Sequence, residues 1–251
     1  MRLTTIGTGA AAPDARRVNA GHLVEAGAAR LLLDCGSGVV HRMATVGADW
    51  SGITHLVLTH FDADHVSDIA TLFVAWRWGQ LPPRAAPITV IGPPGTRALL
   101  ERLAAALWDK LLAPGYPVHV EELAAGGDLV LGDVTLRSHK VPHTDESVAY
   151  SVEHAGRRLV YTGDTAPNDT LGPWAAGCHL LLAECSLPEE MAVPNHLTPE
   201  RVGRLAAEAR PGRLVLTHFY PPVERVDAAA IVARHYDGPV VLAHDGWQTE
   251  I

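Results

Sequence analysis

The sequence predicts an α/β protein, and three observations carry that prediction. Short apolar runs typical of buried strands recur along the chain, as at residues 56–58. Stretches with helical spacing of apolar residues lie between several of these runs. The hexapeptide LVLTHF at residues 56–61 recurs unchanged at residues 214–219, which suggests two similar halves, each ending a strand in a histidine. No linker or low-complexity segment divides the chain, so we expect one domain spanning residues 1–251.

The composition is that of an ordinary globular protein. Apolar residues make up 47% and charged residues 19% of the chain, and no apolar run approaches the ~20 residues needed to span a bilayer. The three cysteines, Cys35, Cys178 and Cys185, lack metal-type spacing, which is typical of a reducing compartment, so we expect a cytoplasmic protein without a membrane partner. The net charge of −8 argues against a broad nucleic-acid surface.

The first elements lead towards a carboxylate at a strand end. Residues 3–6 are strand-like, and residues 21–25 and 29–33 form a predicted hairpin whose second strand ends at Asp34. Asp34 is either a turn residue or an acceptor that orients a metal ligand, and the sequence alone leaves both interpretations open.

The densest group of metal-capable side chains follows the strand at residues 56–58. Within six residues the chain carries His60, Asp62, Asp64 and His65. The alternation of the first three predicts an extended backbone that turns them the same way, and Asp64 is expected to cap a helix starting near His65. Imidazole and carboxylate groups at this density suit a divalent metal ion. The alternative, a polar loop with a capping aspartate, is disfavoured by four such groups at this spacing.

Later segments repeat one pattern, an apolar strand followed by a polar residue in the next loop. Helices are predicted at residues 66–78, 96–112 and 226–235, and Thr198 is the expected N-cap of a helix that begins at Pro199. The polar residues at strand ends are Asp34, His60, His143, Asp164, Glu184 and His218. Because strand ends gather at one edge of a sheet, we expect these side chains to form one site.

The chain resembles the metallo-β-lactamase superfamily in the order of its motif residues, which are His60, Asp62, Asp64, His65, His143, Asp164 and His218. The family motif HxHxDH appears here with Asp62 in place of the second histidine. The similarity is greatest to the RNase Z-like and cyclic-phosphate phosphodiesterase branch, through the segments GTG, DCG, PITVIGPPG, VPH, YTGDT, NHLT and LTH. Lactonase and glyoxalase relatives usually carry a GHTPGH-like segment where this chain has VPHT. The resemblance implies a four-layer αβ/βα sandwich with a dinuclear metal site at one edge.

The resemblance also implies roles for individual residues. The seven expected metal ligands are His60, Asp62 and His143 for one ion, Asp64, His65 and His218 for the other, and Asp164 for both. We expect two divalent ions, Zn²⁺ first, with Mn²⁺ or Fe²⁺ as alternatives because a carboxylate at position 62 makes a harder site. A weaker first site that leaves only one ion tightly bound is the other alternative.

Three residues are expected to act in catalysis. His196 resembles the family histidine that reaches the scissile phosphate, and it would donate a proton or hydrogen bond to the leaving oxygen. Glu184 is expected to orient His196, and Asp64 is counted with them in addition to its role as a ligand.

The function expected first is metal-dependent hydrolysis of a phosphodiester, with water activated by the metal pair. A small cyclic nucleotide or cyclic phosphate is the preferred substrate and an RNA end the second, because tRNA-processing relatives usually carry an arm between the third histidine and the bridging aspartate, which here are 21 positions apart. The alternatives are a tRNA 3′-end endonuclease like RNase Z, a carboxylic ester or lactone hydrolase, and a non-catalytic metal-binding protein. A homodimer is compatible with the sequence.

Overall fold

Two seven-stranded β-sheets face each other at the centre of the computed structural model, which describes residues 1–251. The first sheet contains β1 (Arg2–Gly7), β2 (Gly21–Ala26), β3 (Ala29–Leu33), β4 (His55–Val57), β5 (Ile88–Gly92), β6 (Val118–Glu122) and the last strand, β14 (Trp247–Glu250). The second sheet contains β7 (Asp128–Leu131), β8 (Val134–Lys140), β9 (Val148–His154), β10 (Arg157–Tyr161), β11 (Leu180–Glu184), β12 (Leu214–Thr217) and β13 (Val240–Leu242).

The two sheets share one plan. Their orders are β14-β1-β2-β3-β4-β5-β6 and β7-β8-β9-β10-β11-β12-β13. In each sheet the first four strands pair antiparallel and the remaining strands run parallel. The two copies of the repeated hexapeptide lie at the carboxyl ends of β4 and β12, one in each sheet. The repeat therefore marks parallel strands in matching halves.

Helices cover the outer face of each sheet. They are α1 (Val39–Val46), α2 (Ala63–Val66), α3 (Ile69–Trp78), α4 (Thr96–Leu107), α5 (Leu171–Ala175), α6 (Pro199–Ala209) and α7 (Ala228–Val232), with short 3₁₀ helices at Glu189–Met191 and Pro221–Arg225. None of them is both long enough and apolar enough to cross a bilayer. As predicted, α6 begins with Thr198 as its N-cap and Pro199 in its first turn.

Apolar packing forms three layers of core. Buried residues from both sheets, such as Leu31 and Val215, meet in the central layer. Outside the first sheet, Phe73 and Trp76 of α3 pack on Leu56, and outside the second sheet Val202 of α6 packs in a separate cluster. The arrangement is the predicted αβ/βα sandwich, because apolar strand runs are buried on both faces.

The local prediction around Asp64 was wrong. Strand β4 ends at Val57, and α2 begins at Ala63 with Asp62 at its N-cap position, where its side chain makes no capping hydrogen bond. Asp64 lies inside the first turn, so no extended run aligns the motif side chains. The reason is tertiary: the amide of Cys35 donates to the carbonyl of His65 (2.7 Å), which ties this loop to the end of β3 instead of extending β4.

The predicted helices were also longer than those of the structure. Residues 66–78 divide between α2 and α3, the helix expected at 96–112 ends at Leu107, and the last one is shortened to Ala228–Val232. Leu107 is exposed.

Candidate metal centre

Backbone conformation places several site residues at their strand ends. Asp34 and His218 have φ of 59° and 60°, a left-handed conformation that non-glycine residues seldom adopt. Gly163, with φ of 56°, precedes Asp164, and a Cβ there would lie 2.9 Å from the Cβ of Thr59. Such conformations persist where surrounding contacts impose them, and they cluster at functional sites.

The first group of potential ligands surrounds Asp62. Its Oδ2 lies 3.6 Å from Nε2 of His60 and 3.1 Å from Nε2 of His143. Oδ2 of Asp164 lies 3.8 and 3.9 Å from the same two nitrogens. Asp62 is half exposed, whereas His60 is fully buried, so Asp62 closes this group on its solvent side.

The second group lies on the other side of Asp164. Nε2 of His65 and Nε2 of His218 are 3.4 Å apart, and Oδ2 of Asp64 is 3.3 Å from His218. Asp164 presents Oδ1 to His65 and Oδ2 to His218, each at 3.3 Å. Both carboxylate oxygens of Asp164 therefore face histidine nitrogens of this group, and Oδ2 also faces the first group.

These distances fit a pair of divalent ions. Tetrahedral ligands ~2.0–2.1 Å from a zinc ion stand ~3.3–3.4 Å from one another. Four spacings of the second group are 3.3–3.4 Å, and the fifth, between Oδ2 of Asp64 and Nε2 of His65, is 3.9 Å. Nε2 of His60 and Oδ1 of Asp164 are buried without a hydrogen-bond partner. Unpaired buried polar atoms are costly, so these two atoms favour a bound cation in each of the two groups.

Each predicted ligand histidine makes a contact through its other ring nitrogen. Nδ1 of His65 hydrogen-bonds Oδ2 of Asp34 at 2.8 Å, and Nδ1 of His60 contacts Oγ of Thr59 at 2.9 Å. Nδ1 of His143 donates to the carbonyl oxygen of Asn195 at 3.0 Å. These contacts leave Nε2 of each ring facing the centre, as metal-binding imidazoles require.

His218 follows the same rule through a residue that the sequence reasoning missed. Nδ1 of His218 lies 3.0 Å from Oγ of Ser186, which in turn donates to Glu184 at 2.6 Å. Ser186 stands two positions beyond the predicted strand-end residue Glu184, and that spacing is the only sequence signal for it.

Asp34 takes the second of its two predicted roles. Besides His65, its carboxylate accepts the amide of Thr59 at 2.8 Å and the hydroxyl of Tyr161 at 2.9 Å. Burial opposes the charged carboxylate, but the neighbouring His65 keeps the pKa of Asp34 lowered. The hydrogen bonds explain how a fully buried carboxylate is tolerated.

The carboxylates of the centre are ionised at neutral pH. The neighbouring imidazoles of His60 and His143 lower the pKa of Asp62. Burial disfavours ionised Asp164, yet the positive fields of His218 and His65 hold its pKa well below the usual range. Burial likewise opposes charge on His65, and Asp164 and Asp34 raise its pKa well above normal. Metal binding therefore has to displace a proton from His65.

His196 stands over both groups. Its Nδ1 lies 3.0 Å from Oε1 of Glu184. Its ring is stacked near His218, with centroids 5.6 Å apart, and lies 4.9 Å from the ring of His143. Burial lowers the pKa of His196, but the hydrogen bond and charge of Glu184 outweigh it and raise the pKa to about 9. Before any metal binds, the ring is therefore charged at neutral pH and can donate a hydrogen bond.

Glu184 is held by other groups and has little capacity left for a metal. Its oxygens accept the amides of Thr165 (2.7 Å) and Leu197 (3.2 Å) and the hydroxyl of Ser186. All of the predicted site residues thus lie in one cluster, with Asp62 at its rim. The ligand and catalytic roles themselves stay predictions.

This fold and histidine–aspartate constellation are those of metal-dependent hydrolases. Residues 29–219 match the family described as beta-lactamase superfamily domain, and the chain belongs to that family. A Ribonuclease Z from Mycobacterium sp. (strain KMS) is 33% identical over 276 residues, covering 100% of this chain and 96% of that protein.

Two solved structures support the fold. The metallo-beta-lactamase fold protein YhfI from Bacillus subtilis has a TM-score of 0.83 at 24% identity and covers 99% of this chain and 98% of its own. Human tRNase Z, short form, has a TM-score of 0.82 at 22% identity, with 100% and 99% covered.

Proposed function

We propose that this protein is a metal-dependent hydrolase that cleaves phosphodiester bonds. One observation carries the proposal: histidine and aspartate side chains that follow strands of both sheets converge around Asp164, and His196, hydrogen-bonded to Glu184, lies beside them. Two divalent ions held there would polarise the phosphoryl group and supply activated water at neutral pH. Zn²⁺ is our first choice, with Mn²⁺ or Fe²⁺ favoured if Asp62 dominates the first site.

The chain's own residues provide positioning and a proton. Asp34, Thr59, Asn195 and Ser186 fix the ligand imidazoles before substrate arrives. His196, charged through Glu184, would give its proton or a hydrogen bond to the leaving oxygen as the phosphorus–oxygen bond breaks.

For the substrate we propose the phosphodiester of an RNA 3′ end. The support is the set of relatives named Ribonuclease Z, which align over nearly the whole chain. A small cyclic phosphate ester is the second candidate, because only the β9–β10 hairpin lies between His143 and Asp164 and the net charge is −8.

The test uses purified protein loaded with Zn²⁺ or Mn²⁺. It is incubated in parallel with precursor tRNA, 2′,3′-cyclic AMP, bis-p-nitrophenyl phosphate and a p-nitrophenyl carboxylic ester. Cleavage of the precursor at its 3′ end supports the RNA substrate, and turnover of the cyclic nucleotide alone supports the small one. Hydrolysis restricted to the carboxylic ester would contradict the proposal.

His196→Ala separates an enzyme from a protein that only binds metal. Removing the proton donor should lower kcat by about 10²–10⁴-fold, while metal content, measured by elemental analysis, stays unchanged. A wild-type protein without turnover on any of the four substrates leaves only metal binding. The cytoplasmic location and the homodimer stay predictions.

A further inference from the structure

The turn from Val193 to His196 carries two groups of the centre. The carbonyl of Asn195 accepts the Nδ1 hydrogen bond of His143, and the next residue supplies the His196 ring. This turn therefore sets both a predicted ligand and the predicted proton donor.

The backbone closes this turn only weakly. Pro194 and Asn195 form a turn, but neither the amide of Asn195 nor that of His196 donates a backbone hydrogen bond of normal geometry. A turn closed so weakly has little rigidity of its own. Something else must hold its ends together if it is to fix two imidazoles.

The guanidinium of Arg201 spans the turn. Its Nη1 donates to the carbonyl oxygens of Val193 and His196, both at 3.0 Å, and so joins the first and last residues of the turn. Its Nη2 lies 3.7 Å from Oε1 of Glu189. The same glutamate accepts the hydroxyl hydrogen bond of Thr198, the N-cap of α6. Arg201 is thus anchored at the start of a helix and fixed by a second charged contact.

We propose that Arg201 is the positioning residue of this turn, holding Asn195 and His196 so that the His143 and His196 rings face the metal pair. Only the expected change in kcat rests on the proposed function; the expected change in Zn²⁺ affinity does not require turnover. A planar guanidinium with several donors can hold two carbonyl oxygens in fixed geometry, which a lysine ammonium does less well.

Arg204 provides a matched control. It lies on the same helix, its side chain is two-thirds exposed, and its guanidinium forms an ion pair with Glu200, at 3.7 Å. Arg204→Met therefore removes an arginine without touching the turn.

The experiment compares wild type, Arg201→Lys, Arg201→Met and Arg204→Met. Zn²⁺ affinity is measured by chelator competition, because a loosened His143 should weaken binding without any reference to turnover. The kcat values are measured with methyl p-nitrophenyl phosphate and methyl phenyl phosphate, since the more basic phenolate needs the proton from His196 more.

For Arg201→Met we expect Zn²⁺ affinity to fall about tenfold and kcat to fall about tenfold more with the phenyl ester than with the p-nitrophenyl ester. Arg201→Lys should be intermediate and Arg204→Met should match wild type. Unchanged affinity together with an unchanged ratio of the two kcat values in Arg201→Met would overturn the proposal.

Failure of the proposed function gives a different result. A wild type that cleaves neither ester contradicts phosphodiester hydrolysis, and the Zn²⁺ titration then decides on Arg201 alone. If Arg201→Met does not fold, Arg201→Lys carries both measurements, and wild-type values for it would count against the positioning role.

Discussion

The carboxylate of Asp62 is the side chain that most distinguishes this centre from the family motif. It contacts His60 and His143 and is half exposed, so it adds a negative charge at the solvent side of the centre. Its carboxylate oxygens are harder ligands than an imidazole nitrogen. Harder oxygen ligands favour Mn²⁺ and Fe²⁺ relative to Zn²⁺. We therefore expect this one residue to set the metal preference of the centre.

Asp62→His should shift the preference of the first site towards Zn²⁺. We expect the affinity of the weaker site for Zn²⁺ to rise about tenfold relative to its affinity for Mn²⁺, as measured by competition titrations with both metals. Asp62→Asn, which keeps the size and loses the charge, should weaken binding of both. An unchanged Zn²⁺ to Mn²⁺ ratio in Asp62→His would show that position 62 does not contribute a ligand.

His22 gives the fold a pH dependence. It is fully buried on β2 beside Tyr161, and burial lowers the pKa of His22 from 6.5 to about 3. The folded state keeps the ring neutral, whereas the unfolded chain takes up a proton below about pH 6.5. The stability from this group is present above pH 6.5 and is lost as the pH falls towards 3.

The expected slope is roughly 1 kcal/mol of unfolding free energy per pH unit below pH 6. Urea unfolding of metal-free wild type and His22→Leu between pH 4.5 and 7.5 measures it. The variant should lose stability less steeply as acid is added, because the titrating group is gone. Parallel curves for the two proteins would contradict this origin of the acid sensitivity.

At the scale of elements, the end of β8 controls the loop that carries His143. Nζ of Lys140 donates to three carbonyl oxygens of that loop, those of Thr144 (2.7 Å), Asp145 (2.8 Å) and Ser147 (3.2 Å). One ammonium group thus joins three carbonyl oxygens of the loop, of which that of Asp145 accepts no backbone amide.

Lys140→Met should loosen this loop and lower metal affinity at the His143 side by a few-fold, which chelator competition can measure. Lys110→Met, at the only other lysine of the chain, is the control and should leave affinity unchanged. Equal affinities for the two variants would mean that the loop is fixed by its remaining contacts.

The sequence predicted the elements better than their ends. The apolar runs at residues 56–58 and 214–216 identified buried strands, because strands that are covered on both faces consist of uninterrupted apolar residues. The helix predicted to start near His65 begins two residues earlier, at Ala63, in a loop that a hydrogen bond from Cys35 to His65 ties to the end of β3. Local patterns do not encode partners thirty positions away.

The same limit applies to the site. The strand-end rule found His143, Asp164 and Glu184, whose positions follow from strand order. It did not find Ser186 or Arg201, because their importance depends on which carbonyl or ring nitrogen they meet in three dimensions.

At the scale of the whole molecule, the metal pair would join the two halves. Four predicted ligands follow β4 of the first sheet, and the other three, His143, Asp164 and His218, follow strands of the second. Ligands bound only by the folded state stabilise it in proportion to the logarithm of their concentration.

Metal removal should therefore lower Tm. At a metal concentration 100 times Kd the loss is about 2.7 kcal/mol per site, which corresponds to roughly 5–10 °C for a chain of this size. Differential scanning calorimetry with and without chelator measures it. Asp164→Asn should abolish most of the shift, and a chelator effect of equal size in that variant would mean that the ions bind elsewhere.

The two identical hexapeptides, at residues 56–61 and 214–219, allow one sequence to be compared in two environments. Both copies read LVLTHF, yet the backbone of His218 in the second copy is left-handed, whereas that of His60 in the first copy is not. In the second copy, the amide of Phe219 donates to Thr8 and its carbonyl accepts from Ala10. The same six residues thus adopt two backbone conformations, and tertiary contacts outside the hexapeptide determine which one forms.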